Sequence, residues 1–520
     1  MSPVAKKGGR TLFFRIAKYW GTSLFLLISS PAWSDEVAWL AASSDAQIES
    51  AFAQARTEKK PLLLYWGAKW CPPCNHLKAT LFNRQDFVER SRSFVAVNID
   101  GDSPGAQKLG ARFKVVGYPT MILFNPEGAE LTRLPGEADA AQVMQVLQLG
   151  LAGGRPVKTV LAEARSGGKL AANEWSMLAF YSWKTDEDQV ATAAERARVL
   201  ATLASASPPG EAKTRLSLKA LALRGSETAP AGADMRRQVL AVLADSAAAR
   251  AQMDVLTGSA AEIVKALEPK PGPSRSELLK AFDSALQRLE ADKTLSRADQ
   301  IGALVARVDL ARIDQPKDTS LPQIPAELRE AARRHAARVD REITNGYERQ
   351  AVVTAAGYLL GRVGLWPESD DLLKSNLKKS HSPYYLMSQL ADNARKRGQT
   401  ATALDWYEQA FKASEGPATR LQWGASYLGA LVDLAPKEEQ RIERTASQIL
   451  TEAAAQPHAF HQRGARSLKR VGDKLAAWSK GGAHDDVMKR LRAQFGPVCG
   501  KLTKADGQRA ACEAALKPAA

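Results

Sequence analysis

Two cysteines three positions apart stand in the run Trp70-Cys71-Pro72-Pro73-Cys74. The run follows the apolar stretch Leu62–Trp66 directly and opens a segment with helical spacing, which puts the pair at a helix N-terminus. A thiolate there is stabilised by the helix dipole and by free backbone N–H groups, so Cys71 is the expected attacking nucleophile. Cys74 sits one turn on, within reach of the first sulfur, and is the expected resolving thiol. Other readings of the pair are weaker. Zinc needs two further ligands; His76 is near, but Cys499 and Cys512 lie more than 400 positions away, so no metal is expected. Covalent haem attachment needs a histidine directly after the second cysteine, where this chain has Asn75. A purely structural bridge rarely sits exposed at a helix start beside a tryptophan. Exchange by the two sulfurs requires no cofactor.

The elements that must position this pair alternate in type. Helical spacing over Gln47–Glu58 precedes the buried strand run Pro61–Trp66, and Cys74–Phe82 reads as a helix. Phe94–Ile99 is a second strand run, Ala106–Phe113 a helix and Thr120–Phe124 a third strand. After a turn at Asn125-Pro126-Glu127-Gly128 come a strand through Leu131–Leu134 and an amphipathic helix over Ala140–Leu151. Strands separated by helices predict a central sheet covered on both faces.

Residues from about 45 to 150 resemble a thioredoxin-superfamily domain. Trp70-Cys71-Pro72-Pro73-Cys74, Asn98-Ile99-Asp100 and Val116-Gly117-Tyr118-Pro119-Thr120 follow in that family's order and spacing. With the leader described below, the chain is most similar to periplasmic disulfide-interchange proteins, including the C-terminal domain of the electron relay DsbD. The resemblance implies that Pro119 is cis and packs against the cysteines, with Trp70 beside them. It also implies that the backbone at Gly117 and Tyr118 pairs with an extended substrate segment. The chain departs from the family where thioredoxins carry a buried acid and its lysine partner; Tyr65 and Ala96 stand there. Tyr65, water or Lys69 would have to move the resolving cysteine's proton. Thr120 stands where cytochrome c-maturation reductases have an acid, which argues against that dedicated role.

The chain has 520 residues, 45% hydrophobic and 25% charged, which allows several folded domains and excludes wholesale disorder. Four cysteines are too few for a disulfide-stapled scaffold. Of the formal charge of +16, five units belong to Lys6, Lys7, Arg10, Arg15 and Lys18, leaving +11 for the remainder. Those five precede the uncharged stretch Tyr19–Ser34, and Ala32-Trp33-Ser34 offers small residues for a cut before Asp35. Residues 1–34 therefore read as a cleavable secretory signal and predict a periplasmic protein, an uncleaved anchor being the alternative. The remaining positive charge is scattered among acids along helices, a solvated pattern that does not call for nucleic acid.

Beyond Gly153-Gly154-Arg155-Pro156 the strand signals stop and alanine-rich amphipathic segments follow, broken at Ser207–Gly210, Pro269–Pro273 and Pro316–Pro325. Gly364 and Gly398 lie 34 residues apart, as do Leu373 and Tyr407, Leu377 and Phe411, and Pro383 and Pro417. That is the period of tetratricopeptide helix pairs, with a third unit near Gly424–Pro457 fitting only with an insertion. The expected fold is therefore multidomain, an α/β thioredoxin fold followed by an all-α helical-repeat region. Its boundaries are a leader at 1–34, the α/β domain at 35–152, a linker at 153–157, an all-α region at 158–345, tetratricopeptide-like repeats at 346–460 and a helical segment at 461–520. Cys499 and Cys512 are expected to form a structural disulfide in the last of these. The leading expectation is an exported thiol–disulfide oxidoreductase acting on protein thiols or disulfides. A redox protein would supply its electrons, and the helical half would bind protein. Its direction, as reductase, oxidase or isomerase, is left open. The alternative is a helical-repeat adaptor in which the thioredoxin fold serves mainly for docking.

Overall fold

The computed structural model describes residues 36–136, 138–183, 188–224, 232–316, 319–505 and 507–516. The expected leader lies outside the described residues. From Glu36 onward the chain gathers into a single compact unit.

Five strands, β1 (Leu40–Ala41), β2 (Leu62–Gly67), β3 (Val95–Asp100), β4 (Thr120–Phe124) and β5 (Glu130–Leu134), form one sheet in the order β1-β3-β2-β4-β5. β1, β3 and β2 are parallel, whereas β4 runs antiparallel to β2 and β5 to β4. β2 is apolar and buried throughout because helices cover both of its faces. Leu63 and Tyr65 meet α2 (Pro72–Thr80) and α5 (Ala140–Leu151) through Leu77, Val143 and Leu147. Leu62, Leu64 and Trp66 meet α1 (Asp45–Glu58) and α4 (Ala106–Arg112) through Ile48, Phe52 and Leu109. α3 (Gln85–Ser91) and the two-residue β1 are not among the elements that the spacing predicts. α3 has no side-chain cap and only Phe87 and Val88 as buried apolar anchors, too little for a periodic signal.

Among the described residues, twenty α-helices lie between Val157 and Ala515, and no strand does. The expected breaks fall between helices that end at Ala206, Leu267 and Ala311 and helices that begin at Glu211, Pro273 and Ala326. The 34-residue spacing has a backbone counterpart. Gly364 and Gly398 turn with φ of +82° and +71°, each between two paired helices, and Pro383 and Pro417 each occupy the first turn of a helix. The helix that begins at Pro417 is long, Pro417–Leu434, and the next begins only at Glu439.

The helical part holds the α/β part from two sides. On the β5 side, Ser182 N donates to Arg133 O at 3.0 Å, and Arg250 Nη1 meets Asp139 Oδ2 at 2.8 Å. On the side of the cysteine pair, α2 packs against the Gly346–Arg362 helix. The segment 153–156 joins α5 to the Val157–Arg165 helix, and Arg155 grips Glu174 there at 2.7 Å.

Near the C-terminus, Cys499 and Cys512 are bonded and join the Asp485–Lys501 helix to the Gln508–Ala515 helix. Closing a loop of this size stabilises the folded chain by roughly 3 kcal/mol. Cys499→Ser should therefore speed amide exchange in these two helices by about a hundredfold while leaving the exchange of β2 unchanged.

Candidate functional site

Cys71 is the N-cap of α2, and its Sγ accepts the Cys74 N–H at 3.2 Å. The two cysteines are joined as a disulfide. The helix starts at Pro72 rather than at Cys74 because prolines are tolerated in the first turn, where an N–H has no partner within the helix. Their cost falls on the sulfur. Pro72 and Pro73 carry no N–H, so of the residues in this first turn the Cys74 N–H is the one that reaches Cys71 Sγ, while Asn75 N–H donates to Cys71 O at 3.0 Å. Asn75, fully buried, locks the turn by donating Nδ2 to Lys69 O at 2.8 Å and to Cys71 O at 2.9 Å.

The loop facing the pair contains a cis Tyr118–Pro119 bond. Tyr118 and Trp70 pack against the small cluster of Ala68, Cys71 and Cys74. Thr120 Oγ1 donates to Gly117 O at 2.8 Å, fixing the loop from behind. Trp70, Cys71, Cys74 and Tyr118 thus meet at one end of the sheet, with Gly117 lining the same cavity as Trp70 and Tyr118 and with Pro119 next in the chain, while Cys499 and Cys512 belong to the core of the helical part.

Positions 65 and 96 themselves hold no acid–lysine pair, but Asp100 at the end of β3 lies within electrostatic reach of Tyr65 and of Lys78 on α2, and burial raises its proton affinity. Tyr65 is buried between Trp39 and Phe82, and its hydroxyl has no hydrogen-bond partner. Burial pushes its phenol far above the ordinary value, so it stays protonated and cannot serve as a base at neutral pH. Lys69 faces outward and pairs with Glu415 at 3.3 Å.

Cys71 is only 2% exposed. Residues that flank it are themselves covered by the helical part. Trp70 stacks on Tyr385 at 6.0 Å and meets Trp423 edge-on at 5.1 Å. The Arg463 guanidinium lies 5.3 Å from the ring centre of Trp70 and 5.3 Å from that of Tyr118. The anchor of this arrangement is Asp102, just past β3. It accepts Thr419 N at 2.8 Å, Thr419 Oγ1 at 2.6 Å and Arg463 Nη2 at 2.6 Å. Asp102 thus caps the Pro417–Leu434 helix from outside, where a carboxylate meets free N–H groups and the positive end of the dipole. Gly416 permits the approach; its φ is +90°, and a Cβ there would fall 2.6 Å from Asp102. Gln107 extends the contact by accepting Arg463 N at 2.9 Å and donating to Gly101 O at 2.7 Å.

With fold and site in place, the class is defined: the α/β part is a thioredoxin-superfamily domain. Residues 48–150 match the family model described as a thioredoxin-like domain. The same part is similar to thiol:disulfide interchange proteins DsbD. That of Pseudomonas fluorescens is 30% identical over 112 residues, which is 21% of this chain and 19% of the relative. DsbD 2 of Pseudomonas aeruginosa is 30% identical over 116 residues, 22% of this chain and 20% of the relative. That of Klebsiella pneumoniae is 33% identical over 109 residues, 20% of this chain and 18% of the relative. The chain spans about a fifth of the length of these curated relatives. The helical part lies outside the matched residues.

Sequence reasoning missed Asp102, Thr419, Arg463, Tyr385 and Trp423, which come together only through contacts some 300 positions apart. Two measurements follow from the site. Asp102→Ala leaves Arg463 buried without its carboxylate and should weaken the closure by about 3 kcal/mol, seen as faster amide exchange in α2. Pro73→Ala restores an N–H in the first turn and should speed alkylation of reduced Cys71 by iodoacetamide at neutral pH by about tenfold.

Proposed function

We propose that this protein is an exported thiol–disulfide oxidoreductase that reduces or exchanges disulfides of periplasmic proteins through Cys71 and Cys74. The observation that carries this reading is the disulfide closed at the N-terminus of α2, with the Cys74 N–H on Cys71 Sγ and the cis Pro119 loop beside it. The similarity of residues 48–150 to disulfide-interchange proteins supports it. In the reducing direction, the Cys71 thiolate attacks one sulfur of a substrate disulfide. A Cys71–substrate bond forms, the substrate disulfide breaks, and the leaving thiolate takes a proton. Cys74, deprotonated, then attacks Cys71 Sγ, releases the second substrate thiol and closes the Cys71–Cys74 disulfide. The substrate gains two electrons, and a donor redox protein must return two to the pair. Tyr118 and Gly117 offer backbone for an extended substrate strand, and Trp70 and Pro119 shape the wall beside Cys71. Export rests on the sequence of residues 1–34, and the paired Cys499 and Cys512 suit an oxidising compartment. The helical part, tetratricopeptide-like in its 34-residue spacing, is assigned to partner binding.

One observation favours the adaptor alternative: the helical part already occupies Trp70 and leaves Cys71 buried. A Cys74→Ser variant separates the two. The oxidoreductase accumulates mixed disulfides through Cys71 that are released by reductant and vanish in Cys71→Ser/Cys74→Ser. An adaptor accumulates none.

A further inference from the structure

Beside the redox pair, a cavity of about 550 Å³ lies between the cis-proline loop and the Gln462–Trp478 helix. That is within the ~300–1,000 Å³ typical of ligand sites. Trp70 and residues 116–118 line one side; Arg463, Arg466, Lys469 and Arg470 line the other. Four of the lining residues are cations and none is a carboxylate. At Gly117 a Cβ would meet nothing within 4 Å, so the loop has open space in front of it.

The cations on this wall are not equally satisfied. Lys469 is paired with Asp473 at 2.7 Å, and Arg466 donates to Val116 O at 2.9 Å. Arg463 has Asp102, yet it is 8% exposed, and among the described residues its Nε and Nη1 have no hydrogen-bond partner and Trp70 Nε1 has none either. Arg470 reaches Ser467 Oγ at 3.3 Å, and no carboxylate among the described residues pairs with it. Burial lowers its proton affinity; Asp392, Asp433 and Asp473 line a neighbouring groove with it. A basic wall with unspent donors, next to a loop able to add a strand, suits an incoming chain that bears carboxylates.

We infer that this cavity is a docking site for acidic side chains that flank the exchanging cysteine of a polypeptide substrate, with Arg470 as the principal specificity-determining residue. The inference rests on the thiol–disulfide reading and adds the substrate's charge class. In the reaction itself, the Cys71–Cys74 dithiol gives two electrons and two protons to the peptide disulfide, and the acidic groups take no part in bond exchange.

The test uses the full chain, reduced, and two ten-residue peptides, each closed by one internal disulfide. Glutamates flank the cysteines in one peptide and glutamines in the other. The expected result is reduction of the glutamate peptide about tenfold faster at low salt, an advantage that shrinks as salt rises. In Arg470→Gln the advantage falls at least fivefold while the glutamine peptide reacts at its wild-type rate, which shows that the fold and redox pair are intact. Arg470→Lys retains most of the advantage. Equal rates for the two peptides in the wild type, or an advantage that survives in Arg466→Gln/Arg470→Gln, would overturn the inference and leave the oxidoreductase reading standing. Oxidised glutathione showing the Arg470 dependence while the peptides do not would overturn the polypeptide assignment. If neither peptide is reduced, the oxidoreductase reading itself fails and takes this inference with it.

Discussion

Asp102 holds the helical part against the redox end of the sheet. One carboxylate at the end of β3 satisfies two donors at the start of the Pro417–Leu434 helix and a nearly buried guanidinium from the Gln462–Trp478 helix. Each group depends on the others: without Asp102, Arg463 loses its counter-charge and the Pro417–Leu434 helix loses its cap. Because Arg463 also lies beside both Trp70 and Tyr118, the same network fixes the two aromatic residues that pack on the disulfide. Electrostatics, capping and the shape of the redox surroundings thus meet at one side chain.

This network joins an ordinary catalytic scaffold to an unusual setting. The α/β part contains what disulfide exchange needs: a sulfur at a helix start, a second sulfur one turn later, and a cis-proline loop opposite. The helical part adds a second wall. It places aromatic rings on Trp70 and a row of cations in front of the cis-proline loop, so the surroundings of Cys71 are built by both parts of the chain. The prolines between the cysteines act on the other side of the same atom, by leaving its sulfur a single first-turn donor.

Much of the scaffold was legible because its signals are local. The apolar run of β2, the cysteine spacing and the turn before β5 are each written within a few consecutive residues, and the strands and helices follow them closely. The elements that escaped notice were short: β1 has two residues, and α3 has seven with two apolar anchors. The burial of Cys71 escaped for a different reason. Thr419 and Arg463 look like ordinary polar residues on helices, and Tyr385 and Trp423 look like core aromatics of a helical repeat. Only the tertiary fold sets them on the redox face, because no periodicity links positions so far apart.

Asp102 and Arg463 are separated by 361 residues. At synthesis rates of roughly 5 to 20 residues per second, the arginine is made about 20 to 70 seconds after the aspartate. Every local signal of the α/β part is complete long before that. The α/β part is therefore complete as sequence well before the residues that cover its redox end are made.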